Sequence, residues 1–106
     1  MLLSIVVPVY NEEENIANFY KAVTDVMSGL TYDYELIFVD DGSSDSSAMI
    51  LREIAFNDKH VKVLLLARNF GHQTALTCGL DYAHGDAVIT MDGDMQHPPA
   101  LIPELV

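Results

Sequence analysis

The chain has 106 residues, half of them hydrophobic, which bounds it to one small domain or a piece of a larger one with enough apolar side chain to build a core. Sixteen acidic against five basic residues give a formal charge of −11, which repels polyanions and argues against nucleic acid as a partner. The lone cysteine, Cys78, excludes a disulfide framework or a cysteine zinc cluster, fits a reduced cytosolic setting and reads as core packing.

Leu2-Leu3-Ser4-Ile5-Val6-Val7 lacks a basic flank and is broken by Pro8, so it reads as a strand rather than a signal peptide. No apolar run approaches the roughly 20 residues needed to cross a bilayer. The first strand is expected over 3–9, with Asn11 capping a following helix and Glu12, Glu13 and Glu14 in its first turn, where the helix dipole favours negative charge. Ile16, Phe19, Tyr20, Val23 and Met27 recur at three- and four-residue spacing and predict one buried stripe, closed by Ser28-Gly29. A second strand over 34–39 enters the turn Asp40-Asp41-Gly42-Ser43-Ser44-Asp45, followed by a helix with Ala48, Leu51, Ile54 and Ala55 on its inner face. A third strand over 61–66 leads through Ala67-Arg68-Asn69-Phe70-Gly71 into an apolar helix over 73–83, where Gly79 marks a close packing contact. His84-Gly85 ends that helix, and a fourth strand spans 86–91.

This βαβαβαβ pattern with short connections predicts a parallel, right-handedly connected α/β sheet, in which ligands bind beyond the carboxyl ends of the strands. The loops after strands one, two and four share that edge and carry three acidic groups: Glu12 to Glu14, Asp40 with Asp41 and Asp45, and Asp92 with Asp94. Asp92-Gly93-Asp94 stands at the tip of the fourth strand, where two carboxylates can converge on one divalent cation and the glycine admits backbone or phosphate. Oxygen ligands without nearby cysteine favour Mg²⁺ or Mn²⁺ over zinc. The competing reading is an Asp-Gly turn that caps a helix opened by Pro98-Pro99. The chain ends inside that helix, so a longer protein is expected.

A dinucleotide fold needs a glycine-rich turn after the first strand, and here the position is Val9-Tyr10-Asn11-Glu12, bulky and acidic. The P-loop pattern is absent, and an aspartyl phosphotransferase would place its paired acids after strand one rather than strand four. What remains is a nucleotide held by side-chain acids and a cation. A carboxylate accepts from uracil or guanine N–H groups, and Asp40, at the end of strand two, is placed to make that choice.

Four stretches in order carry a resemblance. Ser4-Ile5-Val6-Val7-Pro8-Val9-Tyr10-Asn11-Glu12, Val39-Asp40-Asp41-Gly42-Ser43-Ser44-Asp45, Arg68-Asn69-Phe70-Gly71-His72-Gln73 and Asp92-Gly93-Asp94-Met95-Gln96-His97-Pro98-Pro99 are similar to the successive signatures of family-two glycosyltransferases. The likeness is to the polyprenyl-phosphate branch, which includes dolichol-phosphate and undecaprenyl-phosphate transferases. It implies a three-layer, Rossmann-like GT-A fold with a mostly parallel sheet, of which residues 1–106 are the nucleotide-sugar-binding N-terminal part, truncated at the C-terminal side. It further implies that Pro8, Tyr10 and Glu12 line the nucleotide pocket, that Phe38 and Asp40 frame the base, and that Asp92 and Gly93 lie near ribose and diphosphate. Asp92, Asp94 and Gln96 would ligate the Mg²⁺ or Mn²⁺.

By the same resemblance the donor is a UDP- or GDP-sugar and the acceptor a polyprenyl phosphate. The reaction inverts the anomeric centre, and the setting is the cytoplasmic face of the membrane, with any base and any membrane helices beyond Val106. Ala100 stands where an acidic residue is frequent in the family. Other readings stay open: transfer to a polysaccharide or other hydroxyl acceptor, or a non-catalytic nucleotide- or metal-binding module. The sugar, the base, the acceptor chain length and homo-oligomerisation are not set by these residues.

Each site residue has a plainer role beside the functional one. Glu12 can be a helix-dipole acid, and Tyr10 can pack over helix one. Asp41 and Asp45 are expected to shape their turn and cap helix two. Arg68 can meet a phosphate or pair with an acid, and His72, His84 and His97 suit helix ends or turns.

Overall fold

The computed structural model describes residues 2–92; Gly93, Asp94, Gln96 and the helix expected after Pro98-Pro99 lie outside them. The elements follow as β1 (Leu2–Val9), α1 (Ile16–Ser28), β2 (Asp33–Asp40), α2 (Ser47–Asn57), β3 (Val61–Leu65), α3 (His72–Tyr82) and β4 (Ala87–Thr90). The strands form one parallel sheet in the order β3-β2-β1-β4, with Val9 level with Asp40 and Asp40 level with Leu65.

Strand periodicity sorts the core into two layers. Leu3, Ile5, Val7 and Val9 of β1 and Leu36 and Phe38 of β2 pack with Ile16, Phe19, Val23 and Met27 of α1 and Leu51 of α2. The alternate residues, Val6, Ile37 and Val39, pack with Ala75 of α3 on the opposite face. β1 and β2 are covered on both sides, which is why their sequences run apolar without alternation. The predicted stripe of α1 is its buried stripe, apart from Tyr20, which is half-buried. In α2 the fully covered positions are Ser47 and Leu51, with Ile54 and Ala55 packed more loosely against the core.

Gly79 has the contact expected of it: a Cβ there would stand 2.3 Å from Val6 Cγ1 and 3.0 Å from Val39 Cγ2. The missing side chain is what lets α3 lie against the sheet. At the amino edge of the strands, buried Glu35 accepts from the Ser4 hydroxyl (2.5 Å) and the His84 N–H (2.7 Å), while Ser4 Oγ accepts the Gly85 N–H (2.8 Å). This network satisfies a carboxylate only 7 % exposed and fixes the turn into β4.

One expectation is corrected. Asn11 does not cap α1; its backbone is left-handed at φ 51°, and the helix starts only at Ile16. The Glu12 carbonyl accepts from the Asn15 and Ile16 N–H groups, forming a turn ahead of the helix, so Glu12 to Glu14 stand outside its first turn. Glu13 instead bonds the loop after β2, at Asp45 and Ser46.

Candidate functional site

β2 and β3 lie to one side of β1 and β4 to the other, and α1 leaves β1 on the face opposite α3. The chain therefore diverges between the carboxyl ends of β1 and β4, which is where an open parallel sheet forms a crevice. A cleft of about 400 Å³ sits there, lined by Pro8, Val9, Tyr10, Glu12, Asp41, Asn69, Gly71, His72 and Asp92. A smaller pocket beside it shares Pro8, His72 and Asp92 and reaches Thr90 and Leu76. Pro8, Tyr10, Glu12 and Asp92 are thus brought together, with one acid from each of the three predicted groups.

Two expected residues are not at the cleft. Phe38 is fully buried and meets the Phe19 ring edge-on, centroids 6.3 Å apart, as part of the core under α1. Asp40 is 3 % exposed, and its carboxylate accepts from the Ser43 hydroxyl (2.5 Å) and the Ser43 N–H (3.4 Å). The reason is the two-residue period of β2: Leu36, Phe38 and Asp40 share the α1 side, whereas Ile37, Val39 and the next residue, Asp41, share the α3 side. Asp41 is the acid of the pair that lines the cleft.

Asp41 also builds the cleft wall. Its two carboxylate oxygens accept from Phe70 N–H (2.8 Å) and Gly71 N–H (3.1 Å), anchoring the loop between β3 and α3. Gly42, at φ 70°, makes room for that loop, since a Cβ would stand 2.2 Å from the Arg68 carbonyl carbon. Gly71, at φ 103°, turns the chain into α3 and places His72 at the rim. Asp41 therefore anchors the loop after β3 rather than its own turn or α2, where Asp40 and Asp45 make the bonds. His72 and Asn69 were the residues missed at this edge. The signal that could have found them is that the loop after strand three ends at the same edge as the others.

The loops after β1 and β2 are stitched side chain to backbone. Ser44 N–H donates to Asn11 Oδ1 (2.8 Å), Asn11 N–H to Ser43 Oγ (2.9 Å), Glu12 N–H to Ser47 Oγ (3.0 Å), and Ser46 N–H to Glu13 Oε2 (3.0 Å). Asp45 caps α2 through Ser47 N–H (2.9 Å) and accepts Glu13 N–H (3.2 Å). Burial pushes the Asp45 carboxyl up, but bonds from the Ser47 side chain and backbone and from Glu13 together outweigh it and hold the group below the usual carboxylate range. Glu12 and Tyr10 are thereby presented by a tied loop. The Glu12 carboxylate accepts from Asn15 Nδ2 (2.8 Å), and Tyr10 is 46 % exposed at the cleft.

Asp92 follows β4 with its side chain 36 % exposed and Oδ1 3.9 Å from His72 Nε2. Arg68 does not line the cleft; its guanidinium lies 4.3 Å over the Phe70 ring. Glu12, Asp41 and Asp92 make the cleft acidic, which suits a diphosphate only if a cation comes with it. Oxygen donors of this kind fit a hard divalent ion. Among the described residues no three such side chains are grouped to hold a metal, so Asp92 is the described ligand candidate, and Asp94 and Gln96 lie outside those residues.

Residues 4–106 match glycosyl transferase family 2. The chain is 48% identical over 105 residues to the undecaprenyl-phosphate 4-deoxy-4-formamido-L-arabinose transferase of Proteus mirabilis, covering 98% of this chain and 32% of that protein. It is 46% identical over 106 residues to the bactoprenol glucosyl transferase of Shigella phage SfV, covering 100% of this chain and 34% of that one. It thus spans about a third of the length of the curated relatives it matches. Among solved structures, glucosyl-3-phosphoglycerate synthase from Mycobacterium tuberculosis, in complex with Mn²⁺, UDP and phosphoglyceric acid, superposes with a TM-score of 0.72 at 29% identity, covering 95% of this chain and 36% of that one. The chain has the GT-A fold, here an α/β arrangement around a four-stranded, all-parallel sheet. The chain belongs to glycosyl transferase family 2.

Proposed function

We propose that this chain is the nucleotide-sugar-binding, N-terminal part of a metal-dependent, inverting glycosyltransferase that moves a sugar from a UDP- or GDP-sugar to a polyprenyl phosphate at the cytoplasmic face of a membrane. The observation that carries the reading is the acidic cleft at the divergence of β1 and β4, with Tyr10, Glu12 and Asp92 around it. The polyprenyl-phosphate names of the similar proteins support the acceptor class.

In this reading Tyr10 stacks on the base and Glu12 accepts from hydroxyl or N–H donors of the nucleoside, held in place by the loop after β2. Asp41 keeps the Phe70-Gly71 wall closed over the same pocket. Asp92, with Asp94 and Gln96, would hold a divalent cation, and the chemistry it would supply when bound is positive charge beside the departing nucleoside diphosphate. The acceptor phosphate oxygen forms a bond to the anomeric carbon from the face opposite the diphosphate, and the carbon–oxygen bond to the diphosphate breaks with its electron pair. A phosphate nucleophile is already anionic, so a strong base is less needed than for a hydroxyl. The test is transfer of radiolabelled sugar from UDP- and GDP-sugars by the full-length protein, with undecaprenyl phosphate and, separately, a hydroxyl acceptor. Label appearing in the lipid phosphate, of inverted configuration, is expected. Label appearing only in the hydroxyl acceptor would move the assignment to a different branch, and none in either would overturn it.

A further inference from the structure

α3 lies over β1 and β2, with Ala75 and Gly79 turned to the sheet against Val6 and Val39. The next strand, β4, carries Val88 and Thr90 on that same side, because they are level with Ser4 and Val6, and both are exposed among the described residues. His72 and Leu76, at i and i+4, share one flank of α3, and with Thr90 they line the smaller pocket, about 190 Å³. Pro8, His72 and Asp92 border this pocket and the larger cleft alike, so they form the neck between the two. Tyr10 and Glu12 lie on one side of that neck, Leu76 and Thr90 on the other.

A ligand that threads the neck is sorted by it. With the nucleoside beside Tyr10 and Glu12 and the diphosphate at Asp92, as the proposed function has it, the sugar of the donor is the part left for the far side. We infer that the smaller pocket seats that sugar as a single pyranose ring and that Leu76 and Thr90 select it; the inference rests on the donor-site reading. Size agrees, because a cavity of about 150 Å³ takes one benzene ring, so one of about 190 Å³ admits a pyranose and excludes a nucleoside. A pyranose has an apolar ring face and a rim of hydroxyls. Leu76 offers methyl groups to the face, while Thr90 Oγ1 and the His72 ring offer hydrogen-bonding atoms to the rim. Among the described residues neither Thr90 Oγ1 nor the His72 ring has a hydrogen-bond partner, since the 3.9 Å between His72 Nε2 and Asp92 Oδ1 is beyond that range. A hydroxyl turned onto Leu76 would be desolvated without a partner, so epimers that place one there are disfavoured.

The test is calorimetric titration of the full-length protein, in Mn²⁺, with UDP, GDP, UDP-glucose, UDP-N-acetylglucosamine and GDP-mannose in turn. Leu76→Trp fills the pocket, and Thr90→Val removes its hydroxyl at nearly constant volume. At least one of the sugar donors is expected to bind the parent. For that donor, Leu76→Trp should weaken binding about tenfold or more and Thr90→Val about fivefold, while the matching free nucleotide stays within about twofold in both. Native far-UV circular dichroism and retained nucleotide binding confirm that a variant is folded; should Leu76→Trp not fold, Thr90→Val decides by itself. The inference is overturned if neither variant separates the sugar donor from its free nucleotide, or if the parent takes UDP or GDP but none of the sugar donors, since an open ring-sized pocket must admit one of them. A folded parent that takes no nucleotide at all would overturn the donor-site reading, and this inference with it.

Discussion

Gly79→Ala tests how closely α3 must lie on the sheet that presents the cleft. The new Cβ would stand 2.3 Å from Val6 Cγ1 and 3.0 Å from Val39 Cγ2, against an ordinary carbon–carbon contact of about 3.5–4.0 Å. Both obstacles are β-branched and fully buried, so neither can swing aside, and α3 must retreat by about an ångström. Overpacking of this sort costs about 1–3 kcal/mol, and such rigid neighbours place it at the upper end. Removing a glycine from a helix returns about 1 kcal/mol. The balance is a destabilisation of about 2 kcal/mol, or a fall of roughly 10 °C in Tm for a chain of this size. Urea unfolding followed by far-UV circular dichroism measures it. In the same assay Val6→Ala should cost stability alone, yet the double variant should be more stable than the sum of the two by at least about 1 kcal/mol, because the smaller side chain makes the room that the added methyl group needs. A Gly79→Ala chain as stable as its parent would refute the close-approach argument.

Asp41→Asn leaves one acceptor oxygen where two N–H groups now bond, so the loop at 70–71 should loosen at a cost of about 1.5–3 kcal/mol; amide hydrogen exchange reads this directly, and unchanged protection at Phe70 and Gly71 would contradict it. Gly85→Ala sets a Cβ 2.4 Å from Ser4 Oγ and 2.7 Å from Ser4 N, so it should break the Glu35 network and lower stability by about 2–3 kcal/mol in urea titrations. Asp45 and Asp58 both titrate below the usual range: burial raises each, but hydrogen bonds outweigh it, for Asp58 from the Tyr20 hydroxyl and from His60. Their stabilisation is fully present above the unfolded value of about 3.9 and is lost as pH falls through the lower folded values, so urea midpoints should drop below about pH 4. Tyr20 is raised, first by its bond to Asp58 and then by burial; that contribution is present below about pH 10 and lost as pH rises through the folded value, and Tyr20→Phe should flatten both arms.

The order of elements was legible because each signal is local. Apolar runs bounded by Asn, Asp, Gly and Ser gave the strands, and Ile16, Phe19, Val23 and Met27 gave α1 its buried stripe. Gly79 was readable because a glycine inside a helix needs a reason, and the reason is Val6. The convergence of Glu12 and Asp92 followed from parallel topology alone. What failed needed tertiary information. The start of α1 depends on Asn11 turning its side chain to Ser44 rather than to its own helix. The choice between Asp40 and Asp41 is one step of strand period, and the expected assignment fell on the residue that faces the core layer. Phe38, expected beside the base, packs in the core layer for the same reason, since its β2 side is the α1 side. The buried Glu35 was not anticipated, because its partners, Ser4 and His84, are 31 and 49 residues away.

The central claim is an acidic cleft that takes a nucleoside diphosphate through a cation held by Asp92. The most direct measurement is calorimetric titration of the chain with UDP and, separately, GDP, each with Mn²⁺ and again with excess chelator, alongside Asp92→Ala. One nucleotide is expected to bind with Mn²⁺ and to lose its heat both in chelator and in the variant. Binding that persists in chelator and in Asp92→Ala, or a folded chain that takes neither nucleotide, would contradict the claim.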